Sequence, residues 1–190
     1  MEQFKYGLIL FVFLIIPPVA TIMESIMAVH MHMQMPMLVI AGFLMARLFQ
    51  IKFPRFFDKW NCNGFPGILL FIIIIFFWMM PRTMDEALTK QNMELFKFIS
   101  LPFLAGVPLR DSWRKLSSTF KNRIIILFTF LFLGMGWLYI YSPVQLCNNY
   151  LLIEQITLGW AFITTSIGMV VYLIYNSIVD RTKYEQVNNE

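Results

Sequence analysis

Charged residues are scarce in this sequence. They make up 14% of its 190 residues, whereas 58% are hydrophobic, and the net charge is +4. A soluble domain of this length needs more polar surface, so the composition excludes a soluble globular protein. The apolar residues form long runs without the alternation of a membrane β-barrel. We therefore expect an all-α integral membrane protein, because a helix satisfies its own backbone hydrogen bonds in lipid.

Several catalytic and cofactor motifs are also missing. The chain has no glycine-rich phosphate loop, no HExxH or GxSxG motif and no paired cysteines. Its two histidines, His30 and His32, lie in one apolar segment, which excludes a haem held by histidines of two helices of one chain. The two halves do not repeat each other, as they do in many transporters. We expect a protein that is not an enzyme, and the missing repeat disfavours a transporter.

Six apolar segments are predicted to be transmembrane helices. Two connecting segments are rich in Lys and Arg, so the positive-inside rule places them, and both termini, in the cytoplasm. We expect one helical bundle over residues 1–176 in the cell (inner) membrane and a short polar tail over 177–190. The predicted spans run from Tyr6 to Ile22, Ser25 to Leu48, Phe65 to Met80, Met93 to Leu109, Ile124 to Tyr141 and Leu151 to Tyr175.

Three of these assignments need comment. Lys5 and the sequence PPVA flank the first apolar core like a signal peptide, but we prefer a retained helix because the core is long and Pro18 suits a cleavage site poorly. The fourth span carries Glu94, Lys97 and two prolines, so it is either a short span or a re-entrant segment. Residues 49–60 mix aromatic side chains with cations and are predicted to lie along the cytoplasmic interface.

The two cysteines do not form a pair in this topology. Cys62 falls in a cytoplasmic loop and Cys147 in an outer loop, so a bilayer separates them and excludes a disulfide between them. Cys147 is either an ordinary loop thiol or a soft ligand at the outer surface.

The sequence HMHMQMPML, residues 30 to 38, places soft and polar side chains in a membrane helix. Met27, His30, Met31 and Gln34 recur at three- and four-residue intervals and share one helical face, whereas His32 lies about 200° around the axis from His30. Thioether and imidazole groups kept away from water suit Cu(I) better than Mg²⁺ or Ca²⁺. The candidate metal ligands are therefore His30, Met31, Met27, His32 and Gln34.

The same segment also fits packing without a metal. Methionine is a flexible filler, and an intramembrane histidine often makes a hydrogen bond between helices. Pro36 is predicted to kink the helix, and Gly42 to allow close packing below it. Gln34 is also a candidate for a polar clamp with Glu154 or Gln155 of the last span.

Most polar side chains at membrane depth fall on the predicted outer side. Ionisable groups at this depth usually face the protein interior or a water-filled site, so we expect the functional site in the outer leaflet. Five further side chains are candidates to orient the metal ligands from around the site: Glu24, Glu154, Gln155, Arg82 and Asp85.

Two short motifs resemble the CtaG family of cytochrome c oxidase (caa3-type) assembly factors, and also small uncharacterised archaeal and bacterial membrane proteins. They are HMHMQM at 30–35 and EQITLGW at 154–160. By position, His30 matches the first motif histidine of the family and Gln155 its late glutamine, whereas Gln34 stands where a second histidine is expected. The resemblance implies copper handling during maturation of a membrane copper enzyme. An amide binds soft metals more weakly than imidazole, so the change at Gln34 implies one of three outcomes: a weaker site, a site that uses His32 or Met31 instead, or the same architecture without a metal.

Two hypotheses follow. The first is a membrane copper-handling protein or assembly factor in cytochrome oxidase biogenesis, whose partners are lipids and a client copper enzyme. The second is a non-catalytic structural or accessory subunit of a larger membrane complex, whose methionine-rich face packs against a partner helix. Neither hypothesis includes a nucleic-acid partner, because the topology signal and contact with anionic lipid explain the +4 charge.

Overall fold

The structure, a computed structural model, describes residues 2–178. These residues contain helices and no strand, so the all-α prediction is confirmed for them. Residues 179–190 of the predicted tail lie outside this range. The α-helices are α1 (Glu2–Ile15), α2 (Pro17–Glu24), α3 (Met27–Val29), α4 (Met35–Lys52), α5 (Pro54–Trp60), α6 (Phe65–Met79), α7 (Pro81–Thr89), α8 (Gln91–Ile99), α9 (Val107–Lys115), α10 (Ser118–Tyr141) and α11 (Leu152–Ile178).

Three helices are long and apolar enough to cross a membrane. They are Met27–Lys52, which contains α3 and α4, and then α10 and α11, and they coincide with the predicted second, fifth and sixth spans. Two bent pairs, α1 with α2 and α5 with α6, raise the number to five if each pair is one span. Residues 2–178 thus support a helical membrane protein of three to five spans by length and composition. The predicted fourth span, 93–109, is not among them.

Prolines create the first of the two bends, and a left-handed glycine, Gly64 with φ +73°, lies at the second. The predicted first span is broken by 71° between α1 and α2, because Pro17 and Pro18 begin a new helix and supply no backbone donors to the turn before it. Helix α5 lies at 85° to α6 and buries no side chain within the described part of the chain. This exposed helix covers most of the segment predicted to lie along the cytoplasmic interface.

The predicted kink at Pro36 takes the form of a wide, π-helical turn over His30–Gln34. The backbone N–H of Met35 bonds to the carbonyl oxygen of His30, five residues back instead of four. Pro36 lacks an N–H and cannot bond to the carbonyl four residues before it, which favours this widening. Both histidines therefore sit in a turn whose geometry differs from that of a regular helix.

A second π-helical turn, Ser100–Gly106, packs directly on α4. A Cβ atom added to Gly42 would lie 2.0 Å from the carbonyl oxygen of Pro102, and one added to Gly106 would lie 2.3 Å from that of Val39. The two backbones are therefore in contact, as predicted for Gly42. This contact fixes the position of α8 beside the helix that carries the histidines.

The remaining helices surround this centre in two groups. Helix α1 packs on α4, and α6 packs on α9 and on the second π-helical turn. Helices α10 and α11 form a hairpin in which a Cβ on Gly136 would lie 2.9 Å from the carbonyl oxygen of Gly159. Helix α11 reaches the first group mainly through α3 and the first π-helical turn.

Replacement of Gly42 by alanine tests the close contact. The added methyl group would meet the backbone of Pro102, which cannot move aside as a side chain can, so we expect Gly42→Ala to destabilise the protein by about 1 to 3 kcal/mol. Thermal unfolding of the purified protein in detergent measures the change. The matched control is Gly134→Ala in α10, whose Cβ would meet nothing within 4 Å and which should not lower stability. Equal melting temperatures for the two variants would contradict the packing described.

Candidate functional site

Glu24, the last residue of α2, joins four parts of the chain. Its carboxylate accepts a hydrogen bond from the ammonium group of Lys97 on α8. The Gln34 amide lies 3.5 Å from the same oxygen, and the Tyr150 hydroxyl donates to the Glu24 carbonyl oxygen at 2.7 Å. Lys97 is 0% exposed. An unpaired charge at such a position is strongly unfavourable, so the carboxylate is what allows the lysine to be buried.

His30 lies in this polar cluster without a hydrogen-bond partner. Its side chain is 0% exposed, and neither ring nitrogen is bonded to any group in the described residues. The side-chain oxygen of Gln34, one turn further along, is unpartnered in the same way. Each such group costs about 1 to 3 kcal/mol when buried, so a native protein usually satisfies it with water or a ligand. Among the predicted ligands, His30 is therefore the one most available to bind water or a ligand.

The sulfur-containing candidates are buried beside this helix. Met27 is fully buried, and the Met31 sulfur lies 3.9 Å from the hydroxyl of Tyr139. Cys147 lies in the loop before α11 but is buried, not at the surface as the soft-ligand interpretation assumed, and its sulfur lies 3.8 Å from the carbonyl oxygen of Pro81. Burial, followed by the charge of Asp85, raises the pKa of Cys147 to about 12, against the opposing effect of a hydrogen bond with Tyr139.

His32 occupies the other face, as its spacing predicts. Its Nε2 atom lies 2.8 Å from the hydroxyl oxygen of Thr165 on α11, and its ring meets the edge of Phe162 with 5.7 Å between ring centroids. The structure therefore does not bring the two histidines to one site. A metal site that uses both of them would require His32 to leave its partner on α11.

The predicted clamp between Gln34 and the start of the last span is wrong. Gln34 faces Glu24, whereas Gln155 donates to the carbonyl oxygen of Tyr139 at 3.1 Å and accepts from the backbone of Leu146 at 2.8 Å. The Glu154 carboxylate accepts from the backbone N–H of Leu151 and caps α11. Both residues therefore order the connection between α10 and α11.

Asp85 and Arg82 also lie away from His30, on α7. Asp85 accepts a hydrogen bond from the backbone N–H of Asn148 at 2.8 Å and thereby ties α7 to the loop before α11. Arg82 is 3.5 Å from Glu86, and its side chain is 91% exposed. Of the five side chains predicted to surround the ligands, only Glu24 contacts the cluster that contains His30 and Gln34.

Three residues of the site were not among the predicted ones. Lys97 had a signal in the sequence, since it is a cation inside an apolar segment, but its partner on another helix had none. Tyr139 and Tyr150 had no signal, because seven tyrosines are spread through an aromatic-rich chain. Spacing within one helix cannot identify contacts that are 73 or more residues apart in sequence, as the Glu24–Lys97 contact is.

Within residues 2–178, no three His, Cys, Asp or Glu side chains are grouped so that they could hold a metal ion. A metal at His30 would therefore depend on methionine sulfur, which binds soft ions such as Cu(I) and not Mg²⁺ or Ca²⁺.

No protein-family model, curated protein or solved structure matches this chain. The resemblance to the CtaG family stays a prediction that rests on its two motifs.

Removal of the buried cation tests the Glu24 cluster. We expect Lys97→Met to cost about 3 to 5 kcal/mol of stability, because it leaves the Glu24 carboxylate, which is only 14% exposed, without its partner. The double variant Glu24→Gln, Lys97→Met should recover a large part of this loss, since no unpaired charge remains. Reversible unfolding in mixed micelles gives the free energies. Arg82→Gln is the control, because that exposed pair contributes less than about 1 kcal/mol. A double variant no more stable than Lys97→Met would contradict the pairing.

The two cysteines should differ sharply in reactivity. At pH 7 about one Cys147 thiol in 100,000 is ionised for a pKa of about 12, and at pH 9 still only about one in 1,000, so maleimide should not label it in the folded protein. Cys62 is exposed and should be labelled. Mass spectrometry of intact protein before and after denaturation measures this, with Cys62→Ser to isolate Cys147. Rapid labelling of folded Cys62→Ser protein would show that Cys147 is not buried.

Proposed function

We propose that this protein binds Cu(I) within the membrane and passes it on during maturation of a membrane copper enzyme, with His30 as its principal ligand. The observation that carries the proposal is the buried His30 ring, whose two nitrogens have no partner in the described residues. One nitrogen of a neutral imidazole has a lone pair that can bind a metal ion. The other carries a proton that needs an acceptor.

Gln34 suits the role of that acceptor better than the role of a ligand. Its side-chain oxygen is unpartnered, and its nitrogen faces the Glu24 carboxylate at 3.5 Å. The Glu24 carboxylate therefore orients the amide nitrogen, and the amide oxygen is left to accept a hydrogen bond from the ring N–H of His30. Metal-bound histidines usually donate their second N–H to such a group, which fixes the ring orientation. The glutamine at the position of the expected second histidine is then part of the site without binding the metal.

The methionines beside His30 supply the soft ligands. Met27 precedes His30 by three residues and is fully buried, and Met31 follows it directly. The Met31 sulfur has only a weak contact, 3.9 Å long, with the Tyr139 hydroxyl, so binding to a soft ion costs it little. Both ligand types are neutral; thioether sulfur favours the soft ion Cu(I), and imidazole also binds copper.

The neighbouring charges favour weak, reversible binding of the metal ion. Lys97 repels a cation, and Glu24 offsets this repulsion because its carboxylate contacts the ammonium group. A singly charged ion held by neutral ligands beside such a pair binds less tightly than one in a site with anionic ligands. Such reversible binding suits transfer of the ion to a client enzyme.

The alternative of an accessory subunit accounts for the buried ion pair as packing, but it gives no role to the two unpartnered nitrogens of His30.

Copper binding by the intact protein tests the proposal. Purified protein loaded anaerobically with Cu(I) should retain about one ion per chain against a competing chelator. His30→Ala should lose this copper, whereas the matched control His32→Ala, on the other face of the same turn, should keep it. Gln34→Ala should weaken binding about 10- to 100-fold. Failure of the wild-type protein to hold copper, or equal retention by the two histidine variants, would overturn the proposal.

A further inference from the structure

A large apolar cavity separates the two groups of helices. It lies between α4, α6 and α9 on one side and the α10–α11 hairpin on the other, and its volume is about 610 Å³. Cavities of roughly 300 to 1,000 Å³ are typical of sites for small molecules. Three of the helices that line it are long and apolar enough to span a membrane, so a molecule that enters it comes from the lipid phase.

The wall of this cavity contains one neutral polar pair, the imidazole of His32 and the hydroxyl of Thr165, which are 2.8 Å apart. Thr165 is the fourteenth of the 27 residues of α11, Leu152–Ile178, so the pair lies near the middle of that span. At about 1.5 Å per residue this is about 20 Å from the start of the helix. The charged headgroup of a phospholipid does not reach this depth without a large cost. The pair is suited to a neutral group that accepts or donates a hydrogen bond.

Aromatic side chains form much of the remaining wall. The rings of Phe132 and Phe162 are stacked, with 5.4 Å between their centroids and 14° between their planes, and Phe162 also meets the His32 ring. Phe71 on α6 and Phe128 on α10 lie 5.6 Å apart, and Phe128 also adjoins Phe132 at 6.0 Å. Flat rings pack on such surfaces with a geometric preference that a saturated acyl chain lacks.

We propose that this cavity binds an isoprenoid quinone. Its ring lies against the aromatic wall, and a ring carbonyl accepts a hydrogen bond from the Thr165 hydroxyl, which turns its proton away from the carbonyl oxygen of Ala161, 2.9 Å distant in the structure. Its branched apolar tail follows the methionine and isoleucine side chains toward the lipid. Such a molecule combines the three properties that the cavity selects for, namely solubility in the bilayer, a flat ring and a neutral carbonyl at mid-depth. The proposal does not depend on copper, because the polar pair of the cavity contains His32 and not His30, although Met31 borders both places.

Binding of decylubiquinone tests this inference. The protein is placed in nanodiscs of saturated phosphatidylcholine, and quinone binding is followed by quenching of tryptophan fluorescence, since Trp78 and Trp113 line the cavity. We expect saturable quenching. Thr165→Val should weaken binding about 2- to 12-fold, which corresponds to the loss of one hydrogen bond. Thr164→Val is the matched control, because that hydroxyl is on the exposed face and bonds only to its own helix backbone in the described structure.

Two further measurements locate the binding site in the cavity and distinguish a quinone from an ordinary lipid chain. Ile40→Phe places extra volume in the cavity at a residue that is half exposed and tolerant of change, and it should abolish binding. Hexadecane, which has no carbonyl group, should compete poorly. Quenching that does not saturate, equal affinities for the Thr165→Val and Thr164→Val variants, or competition by hexadecane at equal strength would each overturn the proposal.

Discussion

The buried contact between Glu24 and Lys97 is the interaction on which the predicted outer end of the protein depends. A lysine with no exposed surface would be too costly without a carboxylate, and that carboxylate also faces Gln34, while the carbonyl oxygen of the same residue accepts from Tyr150. One residue thereby ties α2, α8, the first π-helical turn and the loop before α11 together. As a result, His30 is buried among polar groups, which the apolar helices alone would not provide.

Proline gives this region a second constraint. Pro36 removes one backbone donor, the preceding turn widens, and the histidines of that turn face different neighbours. His30 belongs to the polar cluster, whereas His32 belongs to the wall of the large cavity. A single short segment therefore serves two chemically distinct places, a soft, partly polar one and an aromatic one with a neutral hydrogen-bonding pair.

The sequence predicted those features that depend on neighbours within one helix. Apolar length located Met27–Lys52, α10 and α11, the spacing separated His30 from His32, and Gly42 marked a close helix contact. Features that depend on distant partners were missed or misassigned. The sequence offers Glu154 and Gln155 as candidate partners of Gln34 because all three are polar and near the same side, but α2 brings Glu24 closer. The bend between α1 and α2 brings the Glu24 carboxylate beside Gln34, and hydropathy alone does not predict a bend.

The most direct measurement compares the stability of Lys97→Glu with that of the exchanged variant Glu24→Lys, Lys97→Glu. The single variant places two carboxylates in a buried contact and should unfold readily. The exchange restores opposite charges at the same two positions, so it should recover more than half of the lost free energy of unfolding. If the exchanged variant is as unstable as the single one, Glu24 and Lys97 do not hold this end of the protein together.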